Sequence, residues 1–297
     1  MHASISECNM LDICCIGHIT LDKVVTPRAV MHMAGGTAFY FSHAMRHMDV
    51  KYGLVTALAK TEMQSVTDLR ELGIEVKALD SKHTVYFENI YEENQDNRTQ
   101  RVLQKADAFS VADLADTEAV IFHLGPLLAD DIPTELIKNL FGRGNVSCDA
   151  QGYLREVIEK GVHAIDWADK KEALQYIDVL KVNEHELEVL TGIADIREGA
   201  KVLAEWGVKE VVVTLGSMGS VILYDSEFYE IPAYKPTEVV DATGCGDTYM
   251  AGYLYRRIKG DAVPDAGKFA SAMAGLKIEK AGPFTGTAEE VREMMKR

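Results

Sequence analysis

Apolar runs rich in Val and Ile alternate along the chain with segments whose apolar positions fall three and four apart. LDICCIGHI (11–19), EAVIFHL (118–124), GNVSCDA (144–150), VLKVN (179–183) and EVVVTLG (210–216) read as buried strands, since a continuous apolar run serves both faces of a covered sheet. DIPTELIKNLF (131–141), HELEVLTG (185–192) and REGAKVLAEWG (197–207) read as core-facing helices, with Gly192 and Gly207 where two of them stop. Strand and helix in alternation predict an α/β class with a mostly parallel sheet covered on both faces. Ligands on such sheets bind at the carboxyl ends of strands, so the residues just after each strand carry the functional argument.

Two segments break the alternation. KVVTPRAVMHM (23–33) and SKHTVYFENIYEENQDNRTQRVL (81–103) have the polar alternation of β-ribbons, the second turning at Glu92–Asn97. They leave and rejoin the main pattern and could pair as a small separate sheet. No internal repeat or low-complexity linker divides the chain.

Composition narrows the classes. A net charge of −15 argues against a nucleic-acid surface, which needs clustered Lys and Arg. The cysteines at 8, 14, 15, 148 and 245 form no CxxC pair, which suggests a reducing compartment. MHASISECNM lacks a basic region followed by a long apolar one, and no run approaches the roughly 20 apolar residues of a membrane helix, so a cytoplasmic protein with no membrane partner is expected. The histidines show no H-E-x-x-H spacing, which disfavours zinc. His18 and His123 follow strands and are expected to be satisfied by hydrogen bonds.

The chemistry concentrates in VVDATGCGDTYMAGYLY (239–255). TEVVDAT (237–243) reads as a strand, and Gly244-Cys245-Gly246-Asp247 then opens a helix with Met250, Ala251, Leu254, Tyr255 and Ile258 on one face. Arg256, Arg257 and Lys259 suit its C-terminal end, and Gly260 suits its stop. The N–H groups of residues 244–246 at the positive helix end form a candidate anion hole. Asp247 there is either a capping acid in a glycine-rich turn or a base taking the proton of an attacking hydroxyl while the amides hold a transferring phosphoryl group.

DATGCGDTYMAGYL resembles the C-terminal signature of the PfkB (ribokinase-like) carbohydrate kinases, D-T-x-G-A-G-D. GHITLD (17–22), GGTAF (35–39), NEHE (183–186) and TLGSMGS (214–220) match further family motifs in order across most of the chain. The resemblance implies a Rossmann-like three-layer α/β/α core with a small β-sheet lid. The domain would be a single one over 1–297, with the lid inserted from 23–34 and 81–104. It implies ATP-dependent phosphorylation of a sugar or polyol hydroxyl. Asp247 would be the base and Gly244, Cys245 and Gly246 the anion hole. Asp22, Gly35, Gly36 and Asp149 would hold substrate, and Thr214, Gly216 and Gly219 would line the nucleotide. Asn183 and Glu186 would organise Mg²⁺ through its waters. Asp241 matches a monovalent-cation position, which leaves K⁺ open. Asp22 as a strand-end cap, and Asn183 with Glu186 as a capping box, are the competing local readings.

Departures bear on the substrate. Tyr40 stands where many sugar kinases have Asn, Cys245 replaces the usual Ala, and GLVTALAKTEMQ (53–64) replaces G-x-x-G-x-D. GHITLD, GGTAFYF and SCDAQGYLR resemble the inositol-kinase-like and uncharacterised branches more than ribokinase or fructokinase, so a sugar or polyol such as myo-inositol is favoured. Arg98 and Arg101 are expected on a solvated lid face, and Arg155 near the binding edge. The alternatives are a nucleoside (adenosine-like) kinase, or a non-catalytic sugar- or nucleotide-binding protein on the same fold. A P-loop kinase lacks its G-x-x-x-x-G-K-[ST] here, and a dehydrogenase lacks its G-x-G-x-x-G. Apolar positions on the ribbons point to a homodimer through the lid.

Overall fold

In the computed structural model, which describes residues 10–27, 29–91 and 98–297, the apolar runs line up as one nine-stranded sheet. Its order is β15 (Glu227–Ile231), β14 (Ser220–Tyr224), β13 (Glu210–Thr214), β12 (Val179–Asn183), β9 (Asn145–Asp149), β8 (Ala119–Gly125), β1 (Leu11–Gly17), β4 (Tyr52–Leu58) and β5 (Glu75–Asp80). From β13 to β5 every neighbouring pair is parallel, and only the β13–β14–β15 edge is antiparallel. The turn expected at Glu92–Asn97, Cys8 and most of the MHASISECNM stretch lie outside the described residues.

Successive residues of a strand face opposite sides, and β1 shows it: Ile13 and Cys15 enter one apolar cluster, Cys14 and Ile16 the other. The first cluster is covered by α1 (Gly36–Met45), α2 (Gln64–Glu71), α7 (Cys245–Ile258), α8 (Val263–Lys277) and α9 (Ala288–Met294). The second is covered by α3 (Thr134–Leu140), α4 (Lys170–Ala173), α5 (Glu184–Thr191) and α6 (Ile196–Glu205). The three helices expected from periodicity are α3, α5 and α6. Gly192 and Gly207 follow their helices with φ of +74° and +120°, values that an L side chain adopts only at a cost.

A second, six-stranded sheet runs β10 (Arg155–Ile158), β11 (Gly161–Ala164), β7 (Arg98–Gln104), β6 (Val85–Tyr91), β2 (Thr20–Val25) and β3 (Val30–Gly35). Both expected ribbons are in it. Val85, Phe87 and Val102 pack on Leu127 and Leu128, just past β8, and so seat the sheet over the carboxyl ends of the large one. β10 and β11 were not anticipated: they are short, and their turn is Glu159-Lys160, both at positive φ (48° and 71°).

Two further expectations are revised. Asp22 does not end the first strand, because β1 stops at Gly17; it lies within β2, opposite Met33 of β3. TEVVDAT is not a strand. Val240 and Asp241 both donate their N–H groups to the Ile278 carbonyl (2.8 and 3.2 Å), so the end of α8 holds this segment where a partner strand would have been needed.

The far end of α7 is fastened to the start of β13. Glu210, buried, accepts from Arg257 Nη2 (2.6 Å) and from the Tyr253 hydroxyl (2.6 Å). Arg257→Met strands that carboxylate and is expected to lower stability by about 2–4 kcal/mol in urea denaturation.

Candidate active site

The parallel strands end level with one another. Asn183 of β12 sits opposite Thr214 of β13, and Lys181 of β12 opposite Asp149 of β9. α7 starts beside these ends with Gly244 as its N-cap, left-handed at φ +75° and without a side-chain cap. The result is a cleft of ≈ 440 Å³ lined by Asp149, Lys181, Asn183, Thr214, Gly216 and, from the loop, Gly244, Gly246 and Asp247. Gly219 is not in this lining; a Cβ there would lie 2.0 Å from the Ile231 carbonyl oxygen, so the glycine serves the β14–β15 edge.

Asp247 stands in the first turn of α7, not at its cap. Its carboxyl pKa is raised to about 6, first by burial and then by the facing Asp149, against the opposing pull of Lys181, a hydrogen bond with Thr37, and Arg155. The Cys245 N–H donates to the Ala242 carbonyl (3.2 Å), so the expected three-amide hole is revised: that amide closes the turn. The first-turn N–H groups of Gly246 and Asp247 have no intrahelical carbonyl to meet and face the cleft end of the helix.

Lys181, which the sequence reading passed over, lies under this loop. Its ammonium is buried, 3.0 Å from Asp149 Oδ2 and 3.8 Å from Glu186 Oε2, and a Cβ on Gly246 would sit 3.4 Å from it. Burial alone would discharge it, but Asp149 and Glu186 outweigh burial and hold its pKa above the usual lysine range. The signal was present in VLKVN, a lysine inside an apolar strand, since a buried cation must have an anion beside it.

Asn183 and Glu186 form the capping box of α5: Asn183 Oδ1 accepts from the Glu186 N–H (2.8 Å), and Glu186 Oε2 from the Asn183 N–H (2.8 Å). Burial raises the Glu186 pKa. Asp149 is committed too, accepting from the Gln151 N–H (3.0 Å) besides its pairing with Lys181. Among the described residues no three His, Cys, Asp or Glu side chains cluster as metal ligands. Asp149 and Asn183, which line the cleft, are oxygen donors of the kind a Mg²⁺ that keeps most of its water would use.

Asp22, Gly35 and Gly36 meet at the entry to α1. Thr20 Oγ1 donates to Asp22 Oδ1 (2.7 Å), and a Cβ on Gly35 would lie 2.6 Å from Asp22 Oδ2, so any larger residue would displace that carboxylate. Thr37, the next residue of α1 after Gly36, bonds Asp247 and links this corner to the cleft. One turn on, Tyr40 packs its ring on Gly244, where a Cβ would come within 2.2 Å of Cδ1. Burial, with Asp241, Asp22 and Asp247 nearby, pushes the Tyr40 pKa up, so the phenol stays neutral.

His123 is buried, bonded through Nδ1 to Ser147 Oγ (3.1 Å), and held neutral by burial, its pKa lowered to about 4. His18 Nδ1 meets the Ala57 carbonyl at 3.2 Å. Arg101 pairs with Glu88, which also accepts from Lys23, on the small sheet.

Gly244→Ala adds a strained φ and a clash with Tyr40. It is expected to cost about 1–3 kcal/mol and to weaken sulfate binding measured by calorimetry. Adding Tyr40→Ala removes the clash alone and should restore part of the stability, a coupling that a double-mutant cycle reads directly.

This geometry has close counterparts. The cytidine kinase of Thermococcus kodakarensis is 28% identical over 290 residues, covering 94% of this chain and all of that one. A pyrophosphate-dependent kinase of the ribokinase family, solved with a pyrophosphate analog and myo-inositol, superposes with a TM-score of 0.83 at 29% identity, covering 95% of this chain and 99% of that one. Arabidopsis thaliana ribokinase, solved with ribose and ATP, shares the fold at a TM-score of 0.80 and 20% identity, covering 97% of this chain and 99% of that one. The α/β core with a second, smaller sheet is thus the ribokinase-like fold. The profile of the pfkB family carbohydrate kinases matches residues 10–290, and the chain belongs to that family.

Proposed function

We propose that the protein transfers a phosphoryl group to a hydroxyl of a sugar or polyol, with Asp247 as the general base. The observation that carries this reading is a carboxyl poised near pH 6 at a helix N-terminus, facing a cleft at the strand ends. Substrate would enter between the Asp22–Gly36 corner and the cleft, so that a hydroxyl reaches Asp247. Asp247 would take its proton as the new O–P bond forms. The Gly246 and Asp247 amides and the Lys181 ammonium would hold the charge on the transferring group. Thr214 and Gly216 would flank the donor, ATP, with Mg²⁺ near Asn183 and Glu186. Mg²⁺, when bound, supplies charge neutralisation on the phosphates. The small sheet would act as a lid that excludes water, the lid segments being insertions in one domain.

Two observations bear on the donor. Val239 and Val240 are 72% and 49% exposed just before the loop, an apolar surface that a purine base could cover, which supports ATP. The cleft lining carries no large apolar side chain, which supports pyrophosphate, the donor of the inositol-bound structural relative. A release assay with either donor across pentoses, hexoses, inositols and nucleosides, cytidine included, decides between them. Activity confined to cytidine would favour a nucleoside kinase. A flat panel with donor still bound would favour a non-catalytic binding protein.

Asp247→Asn is expected to lower turnover by at least roughly a hundredfold. Because the folded pKa is raised, the charged carboxylate costs stability above that pKa, so the variant should melt at or above the wild type at pH 8. In the wild type, kcat/KM should fall about tenfold per pH unit below about 6, where the base becomes protonated. Undiminished turnover in the variant would sink the mechanism.

No helix among the described residues is long and apolar enough to cross a membrane. β3 is an edge strand whose Val30 and Met31 are 56% and 51% exposed, which supports a homodimer through the small sheet. Light scattering should give twice the chain mass, and Met31→Lys should return it to one.

A further inference from the structure

Lys277, in the last turn of α8, is an ammonium without solvent: its side chain is 0% exposed. Nζ donates to the main-chain carbonyl of Asp241 (2.7 Å) and to Asp241 Oδ2 (3.1 Å), and lies 6.0 Å from the centroid of the Tyr40 ring. Asp241 is fully engaged around it, Oδ2 also accepting the Gly282 N–H (3.1 Å) and Oδ1 the Thr243 N–H (2.9 Å). A buried cation costs several kcal/mol unless oxygens replace its water, and here a carbonyl, a carboxylate and a π face do so. Carbonyl and carboxylate oxygens around one monovalent charge are the surroundings a desolvated K⁺ takes. In this chain the charge is tethered to the fold.

Its position gives it consequences. Asp241 lies three residues before Gly244, in the irregular segment that the Ile278 carbonyl holds from the other side. Lys277 and Ile278 together therefore clamp the approach to the loop, and Tyr40, resting on Gly244, closes the same cluster. Without the ammonium, Asp241 would become an uncompensated anion near Asp247 and near any transferring phosphate, and the clamp would open.

We propose that the Lys277 ammonium is the resident cation of this segment, holding the anion-binding loop in shape, so that the protein needs no added monovalent cation. The proposal rests on Gly244–Asp247 as the phosphoryl site. Lys277 acts through the loop and is a positioning residue.

The test compares KCl, NH₄Cl and tetramethylammonium chloride at equal ionic strength, reading melting temperature and phosphotransfer separately. Wild-type protein is expected to give the same melting temperature, and turnover within about twofold, in all three salts. Lys277→Ala should lose roughly tenfold or more in turnover in tetramethylammonium and regain most of it in K⁺ or NH₄⁺, with a parallel gain in melting temperature. Lys277→Met fills the space and should show no regain. A wild type activated several-fold by K⁺, or a Lys277→Ala variant indifferent to the cation in both readouts, overturns the proposal. If Lys277→Ala is unfolded in tetramethylammonium, refolding by KCl supports the proposal and failure to refold overturns it. Should no substrate support phosphotransfer, the functional reading fails, and melting temperature alone then decides this one.

Discussion

The buried pair of Lys181 and Asp149, closed at 3.0 Å, is the constraint on which the rest of the site depends. Lys181 can be charged inside the sheet only because β9 and β12 are in register there, which puts Asp149 opposite it. Glu186 lies close by because the α5 capping box bends its carboxylate back toward β12. Lys181 in turn sets what the loop above it can be. A Cβ at position 246 would rest in contact with the ammonium, and a neutral residue at 181 would leave Asp149, Glu186 and Asp247 without the cation between them. Strand register, helix cap and loop composition are thus one electrostatic arrangement.

That arrangement tunes Asp247 by opposition. Burial and Asp149 push its pKa up, while Lys181, Thr37 and Arg155 pull it down, and the balance lies at about 6. Burial alone pushes the carboxyl toward its protonated form, which cannot accept a proton. Full pairing would give an ordinary carboxylate, too weak a base to help. The intermediate value keeps it ionised above pH 6 while retaining basicity, at a cost in stability that Thr37 offsets in part. Thr37, whose hydroxyl lowers the Asp247 pKa, follows Gly35 and Gly36 directly in the chain and so places the Asp22 corner next to Asp247.

The large sheet and the start of α7 were legible because each rests on a strong local signal. Apolar runs marked β1, β8, β9, β12 and β13, and the glycines before Asp247 marked the start of α7. What stayed hidden was decided by partners distant in sequence or by weak turn chemistry. The β10–β11 and β14–β15 hairpins turn on Glu159-Lys160 and Asp225-Ser226, all at positive φ without the Asn-Gly signature of such turns. TEVVDAT has the β-branched residues of a strand, but α8 occupies its hydrogen-bonding side. Tyr40 was noticed as a departure at a substrate position, yet its packing on Gly244 depends on α1 meeting α7. Lys181 was visible as a polar residue in an apolar strand. Lys277 gave no comparable signal, since a lysine in the last turn of a helix usually faces water and favours the dipole.

The charge balance supplies the last step. With 46 acidic against 31 basic residues, the net charge gives an anion no long-range attraction to the molecule as a whole. Recognition must come from fixed groups that act at contact range: helix amides, and ammonium groups buried where solvent cannot screen them. Lys181, buried beneath Gly246, fits that requirement, while Lys277 acts one step removed, by holding Asp241 and the approach to the loop. Each ammonium has its own carboxylate partner, Asp149 for Lys181 and Asp241 for Lys277, so neither pair adds net charge to its surroundings. In the function we propose, a site of this kind would meet a transferring phosphoryl group with charges and dipoles fixed before it arrives.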